Sequence, residues 1–184
     1  NRNTTVDLQE RLAQDSFPQP IAHIGLIGGG QLGRMLAKAA KRLGCRCVVL
    51  DPMPGCPACQ IASHQIVGHF DDPAKLRELA QACDVLTYEL EAIDTATLCQ
   101  LEDEGHRIRP SPRLLATLQD KLLQKRFLAE HDIPTAPFQA TPAPDPATFA
   151  AFGYPLVQKA RRGGYDGRGV SILRGPEAFA RHLP

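Results

Sequence analysis

The chain has 184 residues, 43% of them apolar, and a formal net charge of +1 at pH 7. That length suits one large domain or two small ones with a real core. The balanced charge argues against a general nucleic-acid or membrane-surface binder, and no apolar stretch approaches a membrane span.

In chain order, residues 1–20 (NRNTTVDLQERLAQDSFPQP) are polar. They lack the apolar centre of a signal peptide and read as a leader with a short helix over 8–13. No initiating Met is present, so a trimmed chain or a fragment is expected, in the cytoplasm. The run 21–27 predicts a buried strand. Over 31–43, Leu32, Met35, Leu36, Ala39 and Leu43 recur at helical spacing, and Gly44 ends that helix. A second strand over 45–50 stops at Asp51-Pro52. A helical turn is expected over 57–63 and a short strand over 65–68. A helix over 73–82, capped by Asp71 or Asp72, leads to a strand over 84–88. A helix over 94–104, capped at Asp94 and closed by Gly105, precedes a short extended piece at 107–109. Strands and helices alternating through short links imply an α/β fold with a parallel sheet covered on both faces.

Beyond Pro110 the pattern changes. Helices are expected over 111–118 and 121–131, capped at Ser111 and Asp120. The proline-rich stretch that follows cannot continue a helix and marks a boundary. A short helix begun near Asp145, a strand over 154–160, a glycine-rich loop over 161–169, a strand over 170–173 and the start of a helix over 175–182 complete the chain. One hairpin and one helix are too little to close a core, so this second domain reads as unfinished.

Six cysteines are present. Cys45 and Cys47, with Cys56 and Cys59 in C-P-A-C, supply the number of ligands zinc needs. However, Cys45 and Cys47 share a strand face and precede a different turn. The six are read as reduced, small apolar side chains.

Two glycine loops carry the chemistry. Gly28-Gly29-Gly30-Gln31-Leu32-Gly33 fits G-x-G-x-x-G between a strand and a helix, where free N–H groups and the helix dipole favour an anion. Asp51 ends the next strand, near where a ribose-binding acid sits in dinucleotide folds. The motif itself leaves pyrophosphate and monophosphate equally open. In the second loop, Gly163, Gly164, Gly167 and Gly169 lie among Lys159, Arg161, Arg162 and Arg168, opposed locally by Asp166. Such a hairpin can close its N–H groups over phosphates while the cations neutralise oxyanions.

G-G-G-Q-L-G-R-M (28–35), D-P (51–52), T-Y-E-L-E (87–91), Q-D-K-L-L-Q-K (119–125), I-P-T-A-P-F (133–138) and K-A-R-R-G-G-Y-D-G-R-G (159–169) occur in this order. In this set the chain resembles the 5-(carboxyamino)imidazole ribonucleotide synthase family of the ATP-grasp superfamily. The resemblance implies a Rossmann-like pre-ATP-grasp domain over 21–110, a helical connector over 111–140, and the start of an α+β ATP-grasp lid over 141–184. It implies a purine-biosynthesis ligase in which bicarbonate, activated by ATP as carboxyphosphate, carboxylates aminoimidazole ribonucleotide. Magnesium would be held by residues outside this chain, and no catalytic residue is assigned within it. Gly30, Gln31, Leu32 and Glu89, with Tyr165 and Arg168 from the second loop, are implied to bind the ribonucleotide. Lys121, Lys159, Gly163, Gly164, Asp166 and Gly167 are implied to bind ATP. The expected partners are aminoimidazole ribonucleotide and bicarbonate, not nucleic acid or membrane, and a homodimer is left open. The isolated chain is expected not to turn over. Three alternatives stand beside this: the NAD(P)-binding domain of a dehydrogenase, a nucleotide-binding module without catalysis, and another purine-synthesis ATP-grasp ligase.

Overall fold

The computed structural model describes residues 22–141, 145–164 and 168–181. The expected leader and its short helix therefore lie outside the described residues. The chain forms two compact units: one holds residues 1–90 and 96–109, the other 91–95 and 110–184.

In the first unit, β1 (His23–Ile27), β2 (Arg46–Asp51), β3 (His64–Val67) and β4 (Val85–Tyr88) form one sheet in the order β3-β2-β1-β4. All its pairings are parallel. Ile108 adds a parallel bridge to Leu86, which is where the extended piece at 107–109 falls. Helix α1 (Gln31–Arg42) links β1 to β2, α2 (Pro73–Ala82) links β3 to β4, and α3 (Thr95–Asp103) follows β4. A 3-10 turn spans Pro57–Gln60. Leu26, Cys47 and Val49 cluster with Ala37 and Ala40 of α1 and with Cys56 and Ala58 of the turn. A Cβ placed on Gly25, the neighbouring position of β1, would point at Leu79 of α2. Successive strand residues face opposite sides, so α1 and α2 cover the two faces of the sheet.

The spacing that identifies α1 does not mark its inner face. Its buried residues are Gly33, Ala37 and Ala40. Leu32, Met35, Leu36 and Leu43 are 56%, 59%, 40% and 80% exposed. The cause is close approach: a Cβ at Gly33 would lie 2.3 Å from the Gly28 carbonyl oxygen. Only small side chains fit a helix seated that near the sheet. α2 starts as read, with Asp72 accepting the N–H groups of Ala74 and Lys75.

In the second unit, α4 (Pro112–Leu118) and α5 (Lys121–Glu130) are followed by α6 (Pro146–Phe152) and an antiparallel hairpin of β5 (Leu156–Lys159) and β6 (Val170–Leu173). Asp120 caps α5 and Asp145 caps α6 through their carboxylates. Ser111 stands at the N-cap of α4 but makes no side-chain cap bond. The expected helix over 175–182 is a 3-10 helix, Pro176–Arg181. Phe149, Leu156 and Leu173 form a small core, joined by Tyr154 and Ala178.

Candidate functional site

The first glycine loop is held from below. Gly28 donates its N–H to the Leu50 carbonyl at 3.0 Å, and the Gly29 carbonyl accepts the Ala58 N–H at 2.8 Å. Cys56 is buried beside Gly29, and burial raises its thiol pKa. C-P-A-C is thus the support of the loop. Among the described residues, no three His, Cys, Asp or Glu side chains converge as a metal site. All six thiols are free of disulfides, and burial pushes that of Cys83 up to about 12.

At the loop's exit, Gly30 is the N-cap of α1 and provides no side-chain cap bond. Gln31 and Leu32 are exposed. The N–H groups of a first helical turn have no intrahelical partner, and they carry the positive end of the helix dipole. Glu89, just past β4, lies over this loop. Its Oε1 is 2.8 Å from where a Gly28 Cβ would sit and 3.8 Å from the corresponding point on Gly30. Burial, and then the charge of Asp51, raise its carboxyl pKa above the usual glutamate range. The structure therefore brings Gly30, Gln31, Leu32 and Glu89 together.

The Asp51 carboxylate is turned to the backbone. Its Oδ2 accepts the Gly29 N–H and its Oδ1 the Met53 N–H, both at 2.8 Å. Both carboxylate oxygens are engaged with backbone.

The second loop belongs to the second unit. Lys159 is exposed at the end of β5, and Arg168 is exposed before β6. Ala160 donates its N–H to the Gly169 carbonyl at 2.7 Å and closes the hairpin. A Cβ on Gly164 would lie 2.7 Å from the Arg168 carbonyl oxygen, so the strands pinch together only around a glycine. Tyr165, Asp166 and Gly167 lie outside the described residues.

The base of this loop is stitched to the start of α5. The Lys121 N–H donates to the Arg161 carbonyl at 2.9 Å, and Lys121 Nζ donates to the Gly164 carbonyl at 3.2 Å. Arg161 donates through Nε to Asp120 Oδ1 at 3.1 Å and through Nη2 to Oδ2 at 2.5 Å. Arg162 Nε is 3.5 Å from the same oxygen. The Arg161 contact, with the capped N–H groups of Leu123 and Leu122, holds the Asp120 carboxyl down at about 2. Asp120 thus opposes these arginines from outside the loop. Asp120 was legible as a helix cap, but its pairing with Arg161 spans 41 positions and has no local signal.

Comparison with known proteins extends this picture. The ribonucleotide synthetase preATP-grasp domain profile matches residues 21–119, and the ATP-grasp domain profile matches residues 126–183. The N5-carboxyaminoimidazole ribonucleotide synthase of Synechococcus elongatus is 44% identical over 157 residues, covering 84% of this chain and 40% of the relative. The crystal structure of N5-carboxyaminoimidazole ribonucleotide synthetase from Thermotoga maritima superposes with a TM-score of 0.82 at 41% identity, covering 89% of this chain and 44% of that one. The synthase of Aspergillus clavatus, solved in complex with ADP and 5-aminoimidazole ribonucleotide, gives a TM-score of 0.78 at 35% identity, over 87% of this chain and 42% of that one. The chain spans about two fifths of the length of these relatives.

Proposed function

Because this chain belongs to the ribonucleotide synthetase preATP-grasp family, we propose that it carries the ribonucleotide cradle and part of the ATP cradle of a carboxylating ligase. The reaction joins aminoimidazole ribonucleotide, bicarbonate and ATP to give the N-carboxylated ribonucleotide, ADP and phosphate, with carboxyphosphate between. It is a step of purine biosynthesis, assigned to the cytoplasm. The observation that carries this reading is the Glu89 carboxylate lying over the N-terminal turn of α1. An anion-binding backbone and a hydrogen-bond acceptor side by side suit a molecule with a phosphate at one end and N–H or O–H donors at the other.

In this proposal the N–H groups at Gly30, Gln31 and Leu32 take the 5′-phosphate, and Glu89 accepts a hydrogen bond from the ribose or the amine. Tyr165 and Arg168 hold the same substrate from the second loop. Lys121 and Lys159 neutralise ATP phosphate oxygens, with Gly163, Gly164, Asp166 and Gly167 shaping the loop that covers them. Residues 21–110 form the ribonucleotide domain, 111–140 the connector and 141–184 the lid portion. Magnesium would neutralise phosphate charge in this chemistry. No three His, Cys, Asp or Glu side chains able to hold it converge among the described residues.

A dehydrogenase reading fits less well, since both oxygens of Asp51 are engaged with backbone N–H groups. A binding module without turnover is the second reading, since a cradle for the ribonucleotide can bind it without carrying the reaction. Titration calorimetry of the 184-residue chain separates these readings. Saturable binding of aminoimidazole ribonucleotide is expected. Binding of NADH without binding of the ribonucleotide would overturn the proposal. Release of ADP in the presence of all three substrates distinguishes ligase from module.

A further inference from the structure

The turn beneath the first loop carries two thiols that the proposed chemistry leaves unused. Cys56 is buried, and Cys59, within the 3-10 turn Pro57–Gln60, is half-buried. The Cys59 N–H donates to the Cys56 carbonyl at 3.0 Å, so the pair bounds one closed turn. A 3-10 turn rises about 6 Å over three residues. That lies inside the span of about 4.4–6.8 Å that a disulfide takes between Cα atoms. Cys59 also packs against the buried cluster that contains Cys56. The spacing C-x-x-C beside a βαβ unit is that of dithiol redox sites. One thiol is thus open to an incoming reagent, and the other stands behind it. Burial keeps the Cys56 thiol protonated, outweighing the N–H groups of Cys59 and Ala58 that face its sulfur. Such a thiol suits the second step of an exchange and not the first.

Cys56 is at the same time the seat of Gly29. A Cβ on Gly29 would lie 2.3 Å from the Cys56 Sγ. The Gly29 carbonyl accepts the N–H of Ala58, which stands between the two cysteines.

We propose that Cys56 and Cys59 form a reversible dithiol site for low-molecular-weight disulfides, and that its closure unseats the first glycine loop. The Cys59 thiolate attacks one sulfur of the reagent. The reagent's S–S bond breaks, and one thiol leaves with the proton that Cys59 gave up. Cys56 then loses its own proton, attacks the Cys59 sulfur and expels the second thiol. The chain gives up two electrons and two protons, and the reagent becomes two thiols. Both sulfurs are unbonded in the structure, so closure draws the Cys56 sulfur towards Cys59 and off Gly29. The glycine then loses the packing that holds it against the turn. None of this depends on which ligand the loop holds.

The test treats the 184-residue chain with hydroxyethyl disulfide. Tandem mass spectrometry of the digested chain should show a Cys56–Cys59 link, two hydrogens lighter than the dithiol. Amide exchange at Gly29, whose N–H is bonded to Asp51, should accelerate several-fold. Dithiothreitol should reverse both changes. In Cys59→Ser the reagent should leave Cys56 unmodified and Gly29 exchange slow. A mixed disulfide that rests on Cys59 without closing overturns the inference, as do links confined to the other cysteines. A closed Cys56–Cys59 link with unaltered Gly29 exchange overturns it too, and so does equal acceleration in Cys59→Ser.

Discussion

Glu89 is held where its charge is unfavourable. Burial, reinforced by Asp51, lifts its carboxyl pKa, so the folded chain binds a proton more readily than the unfolded one. Stability linked to this group is largest at low pH and falls as pH rises through the ordinary glutamate value towards the raised one. Glu89→Gln should therefore raise the Tm of the ligand-free chain at neutral pH while weakening binding of aminoimidazole ribonucleotide. Thermal melts and titration on the same preparation check both halves. A fall in Tm would mean that the carboxylate is a structural partner and not a binding group. Asp120 carries the opposite sign. Its carboxyl, held at about 2 first by Arg161, contributes stability that is complete above the ordinary aspartate value of 3.8 and is lost as pH drops towards 2.

Among the elements, α5 and α1 are where single changes tell most. Asp120→Ala removes the cap of α5 and the anchor of Arg161 together. Loss of a cap alone costs about 0.5–2 kcal/mol. Hydrogen exchange at residues 161–164 should accelerate well beyond what that helix loss explains. On α1, Gly33→Ala drives a methyl group into the Gly28 carbonyl; it should lower Tm and weaken ribonucleotide binding. Met35→Gln, on the exposed side, should leave denaturation midpoints unchanged. The contrast shows what the residues disclosed on their own. Alternation of apolar runs with helical spacing was enough to order the strands and helices. Asp72, Asp120 and Asp145 announced helix starts because a cap is a local interaction within three residues. The inner face of α1 was not legible, since the separation of helix and sheet is a tertiary quantity and the large side chains mark the outer stripe. Gly30, Gln31, Leu32 and Glu89 were grouped by motif, and the structure adds the geometry. The engagement of Asp51 with Gly29 depends on two strand ends lying side by side, which no spacing rule encodes.

For the molecule as a whole, the two units differ in what holds them. The first has a four-stranded sheet with clusters on both faces, including Ile27, Val49, Leu50, Leu76 and Leu79, all fully buried. The described core of the second gathers around Phe149, Leu156 and Leu173. Local stability follows buried apolar contact, so backbone amides of β5 and β6 should exchange well before those of β1 and β2. Mass-resolved exchange reads this directly; equal protection of both sheets would contradict it. The stripe of Leu32, Met35, Leu36 and Leu43 has a practical corollary as well. Side chains of this kind, aligned along one helix and turned to water, make a greasy handle. The purified polypeptide should cling to phenyl resin and be rescued from turbidity by mild detergent, and the glutamine variant at Met35 should elute earlier.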